Sequence, residues 1–405
     1  MLPNGMRLLL FPKPYSMTAQ LSVAVEYGSN SESEEAAGMA HFQEHMAAGG
    51  SDKHIERSRA IEQMGGYVDF STANEDTMVV TDVLPAKIEK TAGVLSDLLF
   101  DSSFDEEKLA SERKIIMHEI AEYADDPWSS VEALLRKCLF RNHPVKRPVL
   151  GFRKTVNKLS LAAVVQAHRV NYVPQKTVLI LTGNFSGSAV NVVSQEFGQV
   201  ESNGSVSVKV PFVEDSEPRR AVDKAKAGII QTYLCMGVRT VPAKHPDTPV
   251  LNLIDTLLGA GASSRLFIEL REKKSLAYSI DSTNDYGSDY GFFHVDCAVS
   301  SKHIDETKKL VEKEMEKLRS ERVSEAELGK AKDMIVGSVL RTVDSPVDFP
   351  ETLAVMEMQF GNEHALQDYL NSIKAISATD IAEVANRYFA QDSFSVATLC
   401  PEVDS

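Results

Sequence analysis

The pattern of residues around Tyr67 returns once, at an interval of 211 residues that drifts to 216 and then 219 further along the chain. Tyr67, Ile88 with Thr91, and Glu106 with Leu109 find counterparts in Tyr278, Ile304 with Thr307, and Glu325 with Leu328. Self-similarity at that interval implies two copies of one αβ unit in a single chain. With 405 residues the chain is long enough for two such units, each burying an ordinary core. Between residues 200 and 226 the sequence turns to Ser, Gly, Glu and Pro with broken hydrophobicity, which reads as a linker. The expected domains are therefore 1–199 and 227–405.

Within the first copy, Met6 to Phe11 and Ala19 to Tyr27 read as strands, bounded by Asn4-Gly5, Pro12 and Gly28. Gly38 opens a helix, and another runs from Ser58 to Met64 and stops at Gly65-Gly66. Strand-like stretches follow at Tyr67 to Ser71 and Thr77 to Leu84, then helices from Pro85 to Leu99, Asp105 to Tyr123 and Ser129 to Leu139. Lys176 to Leu181 reads as a buried strand and Val190 to Phe197 as a short helix.

The helix after Gly38 carries His41-Phe42-Gln43-Glu44-His45, the inverted zinc-peptidase spacing H-x-x-E-H. Positions i and i+4 share a helix face, so both imidazoles can reach one ion. A catalytic zinc takes three protein ligands and leaves a place for water. Two histidines are one short, and Glu44 suits the role of general base toward that water. The helix at 105–123 offers Glu112 and Glu119, seven residues apart on one face, and spacing alone does not choose between them. An offset of 211 puts Asn252, Asp255 and Thr256 where His41, Glu44 and His45 stand, so the second copy cannot bind this metal.

Composition removes other classes. A net charge of −15 opposes nucleic-acid binding. No run approaches the ~18 apolar residues of a membrane span, and Met1 to Arg7 do not begin a secretory signal, so a cytoplasmic protein is the expectation. Cys138, Cys235, Cys297 and Cys400 form no C-x-x-C pair, which argues for reduced, mostly buried thiols. Leu258 to Ser264 lacks the spacing of a phosphate loop and reads as a turn; Lys302 to Arg322 reads as the wet face of a packing helix. His118 points about 100° away from Glu119 on its helix, and Trp128 reads as a packing anchor.

Several short motifs together carry a broader likeness: Leu2-Pro3-Asn4-Gly5, Gly38-Met39-Ala40-His41, Met64-Gly65-Gly66, Glu112-Arg113 through Glu119, Asp125-Asp126-Pro127, His143-Pro144, Tyr172-Val173-Pro174, and Ser264-Arg265-Leu266 with Leu270-Arg271. Over almost its full length the chain resembles the pitrilysin and mitochondrial-processing-peptidase family, most of all its short two-domain bacterial and archaeal members. The resemblance implies an α+β fold of two homologous αβ domains, each a mostly antiparallel sheet with helices packed on it. It implies one zinc ion per chain on His41, His45 and Glu119, with Glu112 supporting a ligand from behind. Arg271 and Tyr278 match an Arg and a Tyr of the partner half that grip substrate and stabilise the oxyanion. The implied activity is that of a zinc endopeptidase cleaving short or unfolded peptides in a clam-shell homodimer, each zinc site receiving Arg271 and Tyr278 from the opposite subunit. The alternatives within the family are a heterodimer with a paralogue and a non-catalytic regulatory or structural subunit. Two positions depart from the family pattern. Gln43 replaces a leucine and points away from the ligand face. Asp69-Phe70 replaces an Asn-Ala pair on the edge strand that receives the peptide, where backbone pairing survives substitution but side-chain contacts do not.

Overall fold

A computed structural model describes residues 1–201, 212, 214, 220–362, 364–390 and 393–402. In chain order the first elements are β1 (Arg7–Pro12), β2 (Ala19–Val25), α1 (Met39–Gly49), α2 (Asp52–Gln63), β3 (Tyr67–Thr72), β4 (Thr77–Val83), α3 (Ile88–Phe100), α4 (Glu106–Asp125), α5 (Pro127–Leu139), α6 (Arg153–Val156), α7 (Leu161–Asn171), β5 (Thr177–Gly183) and α8 (Gly187–Gly198). They are followed by β6 (Ala221–Lys226), β7 (Thr232–Arg239), α9 (Thr248–Leu258), β8 (Ala277–Tyr286), β9 (Gly291–Val299), α10 (Ile304–Ser320), α11 (Glu325–Asp344), α12 (Asp348–Phe360), α13 (Ala365–Ala375), α14 (Ala378–Tyr388) and β10 (Ser395–Pro401).

The strands form two five-stranded sheets with one topology. The first runs β1-β5-β2-β4-β3 and the second β6-β10-β7-β9-β8. In each, the first pair is parallel and the other three pairs are antiparallel. Matching order and sense throughout is the structural form of the internal duplication, and the fold is α+β.

Both sheets are covered on both faces. Every residue of β2 and of β5 is buried, as expected of strands that read as continuous apolar runs. One face of the first sheet packs Leu21, Val23, Val79 and Leu181 against Phe42, Met46, Leu95 and Leu109 of the helices. On its other face Ala24, Met78, Val80, Val178 and Ile180 meet Ala354 of α12. The second sheet repeats this arrangement. Leu234, Phe293 and Val295 lie in the large core with α9, α10 and α14, while Cys235, Phe292, Ala397 and Leu399 meet Val131 and Leu135 of α5.

The compact units are accordingly not contiguous. One comprises Met1–Glu122, Arg147–Val210 and Arg341–Asn362; the other Tyr123–Lys146, Pro211–Leu340 and Glu363–Ser405. The division into 1–199 and 227–405 differs from these units because each sheet takes the helix over its outer face from the other half of the sequence. The linker expectation also needs correction at its end, since Ala221–Lys226 is strand β6, paired in parallel with β10. Residues 202–211, 213 and 215–219 lie outside the described part. Helix α2 starts at Asp52 and not at Ser58, with the Ser51 hydroxyl accepting from His54 N. Its first turns, Asp52-Lys53-His54-Ile55-Glu56-Arg57, are too polar to show a helical apolar period. The charged stretch at 302–322 forms α10, with Thr307, Val311, Met315 and Leu318 on its buried side. Among the described residues no helix is long and apolar enough to cross a membrane.

Leu135 of α5 is fully buried against the second sheet. Replacing it with alanine should lower the unfolding free energy by about 2–5 kcal/mol, measured by denaturant titration.

Candidate metal centre

Helix α1 begins on a buried carboxylate. Glu32 accepts hydrogen bonds from Gly38 N (2.9 Å) and Ala40 N (2.6 Å) and so satisfies donors that the first turn leaves open. Burial raises the Glu32 carboxyl to about 7, against the opposing pull of those N–H groups and of Arg147. Gly38 has φ +97°, and a Cβ there would stand 2.7 Å from Leu150 O, so both conformation and space call for glycine. This start fixes the direction in which His41 and His45 leave the helix.

The two imidazoles meet edge to face with ring centroids 4.7 Å apart. Against them α4 presents its two acids in different ways. Glu119 Oε2 lies 3.4 Å from His45 Nε2 and 3.6 Å from His41 Nε2. Glu112 Oε2 instead lies 3.0 Å from His45 Nδ1. Holding Nδ1 in this way leaves Nε2 of His45 with its lone pair toward Glu119. Ligand atoms of His41, His45 and Glu119 all fall within 4.8 Å of one another. Four ligands about 2 Å from a tetrahedral zinc stand about 3.3 Å apart, close to the two histidine–Glu119 distances. Glu119 Oε2 is also buried without a hydrogen-bond partner, a carboxylate oxygen left uncompensated unless a cation sits among these donors. The residues fit a zinc-type ion.

Electrostatics favour the ligand form of His41, whose pKa falls to about 3 through burial and the neighbouring His45. Burial also opposes a charged His45, but Glu112, Glu119 and Glu44 outweigh it and raise that imidazole. Glu44 is raised by burial, with Thr72 and His45 pulling it down and Glu119 and Asp69 pushing it up. The Thr72 hydroxyl donates to Glu44 Oε2 at 2.6 Å and ties the helix to the last residue of β3. That strand lies at one edge of its sheet. Val68 and Phe70 turn toward the core, whereas Tyr67 and Asp69 are exposed.

Gln43 is fully buried. Its side-chain amide donates to Val164 O, while Oε1 has no partner. His118 belongs to none of the convergent donor groups among the described residues. Trp128 packs edge-on against Tyr233 at 4.8 Å. Three supporting residues escaped sequence reasoning. Glu32 sits outside any helical pattern, and Thr72 is an ordinary strand threonine. Gly49 reads as a helix end, yet a Cβ there would lie 2.8 Å from Glu112 Oε1, so its bareness makes room for that carboxylate.

The corresponding helix of the second unit has spent its polar groups elsewhere. Asn252 Nδ2 donates to Tyr286 Oη (3.3 Å) and Tyr369 Oη (3.2 Å), and Asn252 Oδ1 accepts from Asn284 (2.8 Å). Asp255, raised to about 7 by burial, accepts from the Ser282 hydroxyl at 2.6 Å. The Thr256 hydroxyl bonds back to Asn252 O. Arg271 and Tyr278 also lie in this unit, in a stretch of irregular backbone. Arg271 sits in a π-helical segment, Phe267–Lys273; Ser275 follows with φ +54°, and the register of β8 slips at Tyr278. Such bulges and strained turns re-aim side chains. Tyr278 is 77% exposed, and the Arg271 guanidinium lies 4.6 Å from its ring while donating to Tyr278 O at 2.9 Å.

Residues 7–153 match the family described as insulinase, peptidase family M16, and residues 158–335 match the M16 inactive domain. The chain belongs to peptidase family M16. In this M16 chain the second match includes Asn252, Asp255 and Thr256. A Bacillus subtilis chain described as the uncharacterised zinc protease YmxG is 27% identical over 98% of this chain and 97% of its own length. A protease from Helicobacter pylori superposes with a TM-score of 0.90 at 21% identity, covering 99% of this chain and 98% of that one. A Pseudomonas fluorescens structure described as an M16 inactive domain gives 0.89 at 19% identity, covering 100% and 98%. Both structural likenesses concern the fold.

Glu112→Ala should keep the chain folded but weaken zinc affinity about 10–100-fold, measured by competition with a chelator. Gly49→Ala should act in the same direction and less strongly, by displacing the Glu112 carboxylate.

Proposed function

We propose that this chain is a zinc metalloendopeptidase acting on short or unfolded peptides. The observation that carries this reading is the convergence of His41 Nε2, His45 Nε2 and the Glu119 carboxylate beside Glu44. A zinc ion held by those three groups would supply Lewis acidity to a water molecule and to the scissile carbonyl. Glu44 then takes the proton of the attacking water and returns it to the leaving amine. Its Oε2 is held by Thr72, which orients the other oxygen, and its raised affinity for protons suits an acceptor that must later donate. The exposed edge of β3 offers backbone groups to an extended peptide, a mode that tolerates Asp69 and Phe70 because main-chain bonds supply the affinity. Arg271 and Tyr278 supply donors for substrate and oxyanion without competing for the metal.

We further propose a homodimer in which each zinc site receives Arg271 and Tyr278 from the opposite subunit, with a heterodimer alongside a paralogue as the alternative assembly. The intact ligand set and its oriented base weigh against a purely regulatory or structural subunit. The free state of Cys138, Cys235, Cys297 and Cys400 supports a reducing, cytoplasmic setting.

On a quenched-fluorescent peptide library, chelator-sensitive cleavage is expected in the wild type. Glu44→Gln should lower kcat/KM about 10²–10⁴-fold with no change in metal content at the α1 site. Metal bound there without any cleavage would transfer the chain to the non-catalytic reading. Mixing Glu44→Gln with Tyr278→Phe subunits should restore about a quarter of wild-type activity if subunits exchange freely in a symmetric dimer. No recovery at all would count against sharing between subunits.

A further inference from the structure

The second unit carries a set of ligand-type side chains that the peptidase reading does not use. Cys235 on β7 and His294 and Asp296 on β9 each offer one donor atom, and these lie within 4.8 Å of one another. His294 Nδ1 stands 3.7 Å from Cys235 Sγ and 2.6 Å from Asp296 Oδ2. The other ring nitrogen, Nε2, is 3.0 Å from Asp285 Oδ2 on β8. Asp296 Oδ1 is buried with no hydrogen-bond partner. His294, Asp296 and Asp285 line a cavity of about 440 Å³ together with Trp128, Glu132 and Asp281, which gives a small ion a way in.

The fold itself does not ask for this cluster, because the first unit provides an internal control. Val83 at the end of β4 pairs with Ala19, and Val299 at the end of β9 pairs with Thr232. Counting back from those ends sets Met78 and Val80 of β4 against His294 and Asp296 of β9. In the first unit both positions are apolar and pack beneath α12. At the same level of the second sheet stand an imidazole and a carboxylate, with a thiol on the neighbouring strand. Buried polar groups in place of a working apolar surface carry a desolvation cost, which a bound cation would offset.

We propose that Cys235 Sγ, His294 Nδ1 and the Asp296 carboxylate form a second site for a divalent metal of the zinc type, separate from the His41–His45–Glu119 centre. Sulfur, imidazole and carboxylate together are a donor set for such an ion. With zinc–sulfur at about 2.3 Å and zinc–nitrogen at about 2.0–2.1 Å, a tetrahedral site puts the two donors about 3.6 Å apart, near the observed spacing of Cys235 and His294. The ion replaces the proton between His294 Nδ1 and Asp296, and the thiol proton leaves as Cys235 becomes a thiolate. Both protons go to solvent, and thiolate plus carboxylate balance the two positive charges. Asp285 keeps the Nε2–H of His294 and thereby fixes the tautomer that presents Nδ1. The fourth position is left for water.

Cobalt(II) added to the full chain tests this without reference to peptidase activity. Thiolate-to-cobalt charge transfer absorbs in the near ultraviolet, and a centre of two histidines and a glutamate has no thiolate to produce it. The band should appear in the wild type, persist in His45→Ala and in Cys297→Ala, and vanish in Cys235→Ala and His294→Gln. Elemental analysis should give two zinc ions per wild-type chain and one in each of His45→Ala and Cys235→Ala. Should Cys235→Ala fail to fold by circular dichroism, His294→Gln and the wild-type spectrum still decide. Absence of the band in folded wild type at saturating cobalt would overturn the proposal and leave the cluster as a buried ion network. A band untouched by loss of Cys235 would overturn it too. Loss of peptidase activity in His45→Ala with the band intact separates the fate of this site from that of the first.

Discussion

Burial of the central strands on both faces is the constraint from which the rest of this architecture follows. With every residue of β2 and β5 inside in the first sheet, and all but one residue of β9 in the second, neither sheet can stand with one face in water. Each takes a layer of helices on one face and a covering helix on the other, α12 for the first sheet and α5 for the second. Among the outer strands that escape this enclosure are β3 and β8. Those edges are also where chemistry gathers. Thr72 at the end of β3 grips Glu44, and Tyr278 stands exposed on β8.

Much of the candidate site's geometry was legible because its parts obey local rules. Helical spacing put His41 and His45 on one face and Glu112 and Glu119 on another. What spacing could not say was which acid reaches which nitrogen, since that depends on how α4 lies against α1. The structure gives Glu119 to the two Nε2 atoms and Glu112 to Nδ1 of His45. Glu32 was invisible for a similar reason: it acts on α1 through a loop and not through a period. Strand β6 was hidden in a run whose alternation is polar because it is an edge strand with exposed side chains. The cysteines were rightly read as unpaired, but no motif joins Cys235 to His294 across 59 residues, and only the sheet register brings them together.

The duplication shows how one scaffold carries two electrostatic programmes. In the first unit a histidine pair and buried acids leave an oxygen uncompensated. In the second unit the equivalent helix closes its polar groups on one another through Asn252, Asn284, Tyr286 and Tyr369. Without histidines on its equivalent helix, that unit keeps irregular backbone near Arg271 and Tyr278 and a polar cluster on its outer face. Divergence has worked on side chains and on short stretches of strand, and the order of the sheet is untouched.

The exchange of covering helices makes the two repeats inseparable. A cut in the stretch between the halves would leave the first sheet without α12 and the second without α5, each with an apolar face opened to water. Neither fragment would then be a domain in the sense of folding alone. Synthesis on the ribosome meets the same condition, for the second face of the first sheet cannot be covered until residue 360 has emerged. The chain therefore has to hold an incomplete first half in waiting, and its folding becomes a single event closed late, although its sequence was written twice.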